Sequence, residues 1–197
     1  ENTVSDLTVL IFDGNGDVIG RQYKSSRQSS VTSDISLNVT TRVASGCTIY
    51  AFANLGSDTY FDGKGTKAEV DAMRTAAMTD LTALGSANDA IMFGNLTGVN
   101  IVADGTNTNK FQLPMAHVCS KLALIVKPTV EGITITGYQL CNIPKGSYLT
   151  DIARTTAAYP DGYSRFAAAT GLNITTATTP NTASATYYIY ENLAGNM

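Results

Sequence analysis

Along most of the chain, apolar and polar residues alternate in short runs. This two-residue period sends successive side chains to opposite faces of a strand. In Val4–Phe12, Leu7, Val9 and Ile11 lie on one face and Thr8, Leu10 and Phe12 on the other, which predicts a strand buried on both sides. The turn Asp13-Gly14-Asn15-Gly16 leads into a second run at 18–24, giving a hairpin, because glycine accepts the positive φ of tight turns. Ile35, Leu37 and Val39 interleave with Ser36, Asn38 and Thr40, predicting a strand with one face on a core and one in water. In 47–54, Thr48, Tyr50 and Phe52 oppose Cys47, Ile49, Ala51 and Ala53, and Leu55-Gly56 ends the run.

One segment changes period. Val70, Met73, Ala77, Leu81 and Leu84 recur at spacings of three and four, predicting an amphipathic helix over 67–84 that covers a sandwich edge or opening. Thr66 with Glu69 forms a capping box at its start, and Gly85 supplies the left-handed residue past its end. Further strands are predicted at 91–102, 110–113, 118–126, 133–143 and 185–191, the last carrying Tyr187, Tyr188 and Tyr190. The Thr- and Ala-rich stretch 150–185, interrupted by Pro160, Gly162, Gly171 and Pro180, is expected to form long loops with one short helical turn.

Many short strands and one helix predict a mainly β fold of the sandwich type. Pro114 marks the expected boundary between a first β-sandwich, residues 1–113, and a second, residues 114–197. The second is expected to be incomplete, because the sequence stops six residues after Glu191, short of the strands a matching sandwich needs.

Composition narrows the function. The chain has 197 residues, 44% hydrophobic and 15% charged; the usual charged fraction of soluble domains is roughly 25%. Thr, Ser, Asn and Gly carry the polarity, as in extracellular β proteins. A net charge of -3 without a basic run disfavours nucleic acid. No apolar stretch is long enough for a membrane helix, and no signal peptide is visible at the N-terminus.

No residue is assigned a catalytic, cofactor-binding or metal-ligating role. His117 is the one histidine, with Cys119 two residues on, but no nucleophile elbow or carboxylate partner frames it; its plain reading is structural. Asp13, Asn15 and Asp17 have alternate oxygens, yet Val18 and Lys24 stand where a calcium loop needs Gly and Glu. The loop of Asp104, Asn107 and Asn109 offers oxygens for weak calcium binding or simple solvation. Cys47, Cys119 and Cys141 read as small buried hydrophobes, with a Cys119–Cys141 bridge left open. The three tyrosines serve as core packing or as an aromatic platform for sugars or a partner strand.

Four segments carry a family likeness: TIYAFANLGS at 48–57, HVCSKLALIVK at 117–127, ITITGYQLCNIPKGSYLT at 133–150 and TYYIYENLAGNM at 186–197. In order and spacing they resemble Bacteroidales fimbrillins, the major and accessory pilins of type V fimbriae. The resemblance implies two transthyretin-like β-sandwich domains, export as a lipoprotein precursor, and assembly at the outer membrane and cell surface. It implies processing by a trypsin-like protease that removes a first strand, after which a neighbouring subunit's strand fills the groove. The implied partners are other fimbrial subunits, together with host glycans or proteins if the chain is a tip adhesin. The family's lipidated cysteine is not seen in this sequence.

Overall fold

The computed structural model describes residues 4–28, 35–84, 90–103, 109–150 and 162–191. Strands β1 (Val4–Phe12), β2 (Val18–Gln28), β3 (Ala44–Ala53), β4 (Met92–Ile101) and the two-residue β5 (Ala116–His117) form one antiparallel sheet in the order β2-β1-β3-β4-β5. The β1–β2 hairpin turns where expected. Asp13 Oδ1 accepts from the N–H groups of Asn15 and Asp17 at 3.0 and 3.1 Å, and Gly16 takes a φ of 88°.

The remaining strands form two ribbons. β6 (Cys119–Val126) pairs with β9 (Ala183–Tyr190), and β7 (Ile135–Pro144) pairs with β8 (Tyr163–Ile174). Tyr187 on β9 joins them, its hydroxyl 2.9 Å from that of Tyr138 on β7 and 3.1 Å from the carbonyl of Ala168 on β8.

The inner face of the five-stranded sheet carries Leu10, Phe12, Tyr50, Phe52 and Phe93, all buried. Tyr50 stands edge-on to Phe12 and Phe93 with ring centroids 5.1 Å apart in both pairs; such pairs add about 0.5–1.5 kcal/mol beyond their buried area. Val118, Ile143, Leu149, Phe166, Ile189 and Tyr190 belong to the same apolar cluster, so the sheet and the first turns of the ribbons share a core. β5, just past the expected boundary at Pro114, extends the sheet by pairing Met92 with His117 and Phe93 with Ala116.

The helix departs from expectation. α1 spans only Lys67–Asp71, although it starts on the expected capping box between Thr66 and Glu69. Beyond Asp71 the backbone turns to 145–149: Thr75 N–H donates to Ser147 O at 2.8 Å, Met78 N–H to Lys145 O at 2.6 Å, and Leu149 N–H to Met73 O at 3.2 Å. Those tertiary bonds replace helical ones while Met78 and Leu81 still reach the core. Asp80 also takes the backbone and hydroxyl of Thr82, the local competition that weakens helices at such residues. Gly85 lies outside the described residues.

Two strands expected at 35–39 and 110–113 are not formed; both segments are extended coil. In the opposite direction, the stretch expected to be loop contains the twelve-residue β8. Its alanines carry little strand propensity, and pairing with β7 together with burial of Phe166 and Ile174 overrides it. The short helical turn expected in that stretch is not found in its described part, 162–185.

Candidate functional site

The outer face of the five-stranded sheet presents Leu7, Val9 and Ile11 from β1 and Cys47, Ile49, Ala51 and Ala53 from β3. Strand alternation puts them opposite the aromatic face. Among the described residues, no second sheet covers this face. Instead, two extended segments lie on it.

The first, 35–41, rests Ile35, Leu37 and Val39 on the sheet, with Ser36, Asn38 and Thr40 exposed. The second, 109–115, rests Phe111, Leu113 and Met115 there, with Lys110, Gln112 and Pro114 exposed. Glycines set their positions. A Cβ at Gly20 on β2 would meet Thr41 Cβ at 3.0 Å and Thr40 O at 3.1 Å; one at Gly94 on β4 would meet Pro114 O at 2.5 Å. The first segment thus lies over the β2 side and the second over the β4 side, with β1 and β3 between them.

Among the described residues, no backbone hydrogen bond joins 35–40 or 110–115 to each other or to the sheet. The first segment is tied by a side chain, Thr41 Oγ1 donating to Ile19 O at 3.1 Å. The second is tied at its start by Asn109, whose side chain bonds both N–H and O of Val102 at 3.1 and 2.8 Å. Both segments have the side-chain alternation of strands without the backbone pairing. Their apolar residues are half-buried rather than buried, so the layer is not closed. The alternation was visible in the sequence; the lack of pairing was not, because it depends on what lies beside each segment.

The residues considered for chemistry do not converge. His117 sits on β5, its Nε2 shielded from solvent and without a hydrogen-bond partner among the described residues. Asp13 closes its own turn and holds Arg42 through Oδ2 at 2.8 Å. In the 104–109 loop only Asn109 lies within the described residues. All three cysteines are free, Cys47 buried, Cys119 half-buried and Cys141 exposed. Burial raises the thiol pKa of Cys47, with the charge of Asp13 adding to it, and burial also raises that of Cys119.

Tyr187 is pushed up to about 12 by desolvation and by its bond with Tyr138. Burial also raises Tyr190, which packs into the core, so these rings serve packing. A cleft of about 270 Å³ near the junction is lined by Asn54, Thr75, Met78, Ile91, Cys119 and Tyr190 among others, and those six include no carboxylate or histidine.

The fold is shared with solved structures of bacterial fimbrial and adhesion proteins. A candidate cell-adhesion protein from Bacteroides eggerthii superposes with a TM-score of 0.69 at 15% identity, over 100% of this chain and 66% of its own. The tip fimbrial protein Mfa3 from Porphyromonas gingivalis, with C-terminal truncation, gives 0.56 at 18% identity over 93% and 63%. A fimbrilin (FimA) from the same species gives 0.53 at 14% identity over 96% and 60%. At these identities the likeness is one of fold.

The chain belongs to the family of the major fimbrial subunit protein (FimA), whose family model matches residues 1–196. It spans about two thirds of the length of the first two solved structures it matches, 66% and 64%. No curated protein matches it. No described helix is long and apolar enough to cross a membrane.

Proposed function

We propose that the chain is a structural subunit, a pilin, of a bacterial surface fimbria, without enzymatic activity, and that it assembles by β-strand addition between subunits. The observation that carries this reading is the outer face of the five-stranded sheet. Two segments with strand-like alternation, 35–41 and 109–115, lie over opposite sides of the sheet and have unpaired backbones. An extended segment entering between them would find hydrogen-bonding groups on both sides and apolar residues beneath, the conditions for strand addition. Donor side chains on alternate positions would complete the half-closed layer.

On this reading the chain divides into two transthyretin-like sandwich domains, residues 1–113 and 114–197, with β5 at the start of the second extending the sheet of the first. The protein is a lipoprotein precursor exported to the outer membrane. Family membership supports the coarser part of this, a place in a cell-surface fimbria.

The test is polymer formation by full-length protein treated with an Arg/Lys-specific protease, followed by light scattering and electron microscopy. Fibres are expected, and Leu37→Lys or Leu113→Lys, each charging one covering segment, should suppress them while circular dichroism stays unchanged. Protein that remains monomeric after processing would overturn the reading.

A tip adhesin or glycan or host-protein binding module without a polymerising role is the second reading. It draws on the exposed Ile125, Val130 and Ile133 at and beside the β6–β7 connection. Binding on a glycan array with no fibre formation would favour it.

A further inference from the structure

Tyr138 on β7 and Tyr187 on β9 end on each other, their hydroxyl oxygens 2.9 Å apart. Tyr187 donates its hydrogen to Ala168 O, so Tyr138 is the donor within the pair. Both rings are half-buried. Tyr187 packs against the core, and ladders hold the backbone beneath each ring, Tyr187 opposite Leu122 on β6 and Tyr138 opposite Ala169 on β8.

This contact has a chemical meaning because of where a phenol reacts once it is oxidised. Loss of one electron and one proton leaves a phenoxyl radical whose unpaired spin lies on the oxygen and on the ring carbons ortho and para to it. The para carbon of tyrosine carries the side chain, which leaves the ortho carbons free to bond. Two such radicals couple ortho to ortho, and in the product the two hydroxyls flank the new bond side by side. Hydroxyl against hydroxyl is the arrangement that product has, and Tyr138 and Tyr187 already hold it in the fold.

We propose that Tyr138 and Tyr187 are a site of oxidative cross-linking, joined as a carbon–carbon dityrosine by a peroxidase that uses hydrogen peroxide as oxidant. Each phenol loses one electron and one proton, and one hydrogen peroxide accepts both pairs and becomes two waters. The two ortho carbons bond. The hydrogen on each then moves to its ring oxygen as aromaticity returns, restoring both hydroxyls.

The link spans 49 positions of the chain and joins two ribbons that share no backbone ladder among the described residues. A cross-link closing so long a loop restricts the unfolded chain, as a disulfide does. The cysteines supply no such link, since all three are free. Proximity makes the reaction selective among the ten tyrosines of the chain. Tyr163, 39% exposed, is open to an oxidant. Coupling between chains nevertheless needs a collision, whereas groups held in contact react as if at concentrations far above any in solution.

The experiment treats the 197-residue chain at micromolar concentration with a haem peroxidase and limiting hydrogen peroxide. The monomer fraction is then read by intact mass, dityrosine fluorescence and mass spectrometry of proteolytic peptides. A product lighter by two hydrogen atoms is expected, with the peptides that contain Tyr138 and Tyr187 joined. Its yield should not depend on protein concentration, should fall about tenfold or more in Tyr138→Phe and in Tyr187→Phe, and should be unchanged in Tyr163→Phe. The linked chain should unfold at a higher urea concentration than the parent. Circular dichroism checks that the phenylalanine variants fold, and the peptide map of the oxidised parent decides the matter if either does not. An oxidised parent without the 138–187 link, or links among other tyrosines that persist in both folded variants at the parent's yield, would overturn the proposal.

Discussion

Tyr50 donates its phenolic hydrogen to Asp71 Oδ1 at 2.9 Å, while Asp71 Oδ2 receives the Lys67 ammonium at 2.7 Å. The fully buried tyrosine of β3 thereby holds the last residue of α1, and Lys67 lies 5.3 Å from the centre of the same ring. Tyr50→Phe keeps the ring among Phe12, Phe52 and Phe93 and removes only the hydroxyl. It should cost about 1.5–3 kcal/mol, the range for a hydrogen bond to a charged group. Tyr50→Ala also removes the ring and should cost about 3–5 kcal/mol by analogy with other large aromatic truncations. Urea denaturation of the two variants separates the contributions.

Gly94 is a point of close approach between β4 and the 109–115 segment. Alanine there would put its Cβ 2.5 Å from Pro114 O and 3.1 Å from Met115 Cγ, so the segment must lift. The expected loss is about 1–3 kcal/mol, as for other overpacked sites. Gly98→Ala is the control: it meets nothing within 4 Å but must adopt a φ of 72°. Its expected cost is about 1–2 kcal/mol, from backbone strain alone. Limited proteolysis distinguishes them, with faster cleavage within 109–115 expected only in Gly94→Ala.

Glu69 makes the capping box sensitive to acid. Its carboxylate accepts from the Gly65 and Thr66 N–H groups at 2.9 and 3.0 Å and from the Thr66 hydroxyl, and these bonds, Gly65 first, hold its pKa below 4.5. A depressed folded pKa means that the stabilisation is present above the unfolded value and is lost as pH falls through the folded one. Glu69→Gln should therefore be less stable than the parent at neutral pH and approach it at low pH. Thermal melts across an acid series read the convergence, and parallel melting curves would count against it.

The free thiols should differ in rate. Cys141 is exposed, Cys119 half-buried and Cys47 buried, and burial raises the pKa of the latter two, lowering their thiolate fraction. Titration with a disulfide reagent in the native state should show one fast thiol, assigned to Cys141 by its loss in Cys141→Ser. A slower phase should come from Cys119, and Cys47 should react only on unfolding. One thiol in place of three in denaturant would contradict the free state, because a disulfide consumes two.

Much of the strand content was legible from local chemistry. The 4–12 and 47–54 alternation, the hairpin turn at 13–16 and the capping box at Thr66 and Glu69 are short-range patterns, and each appears where the pattern put it. The family likeness was also legible, since the segments that carry it are contiguous in sequence.

What local pattern could not supply was choice of partner. Residues 72–84 have a helical apolar stripe, but 145–149 takes the backbone bonds of Thr75 and Met78, so only five residues stay helical. Residues 163–174 look weak as a strand, but β7 pairs with them. Residues 35–39 and 110–113 alternate like strands and remain coil, because no backbone lies alongside to bond with them among the described residues.

The sequence by itself therefore determined which residues face the core, because side-chain direction follows from local periodicity. Only the tertiary structure decided which backbones are paired and which stay open, because a hydrogen-bond ladder needs a second segment brought near from elsewhere in the chain. The outer face of the sheet is apolar by sequence and half-covered by topology.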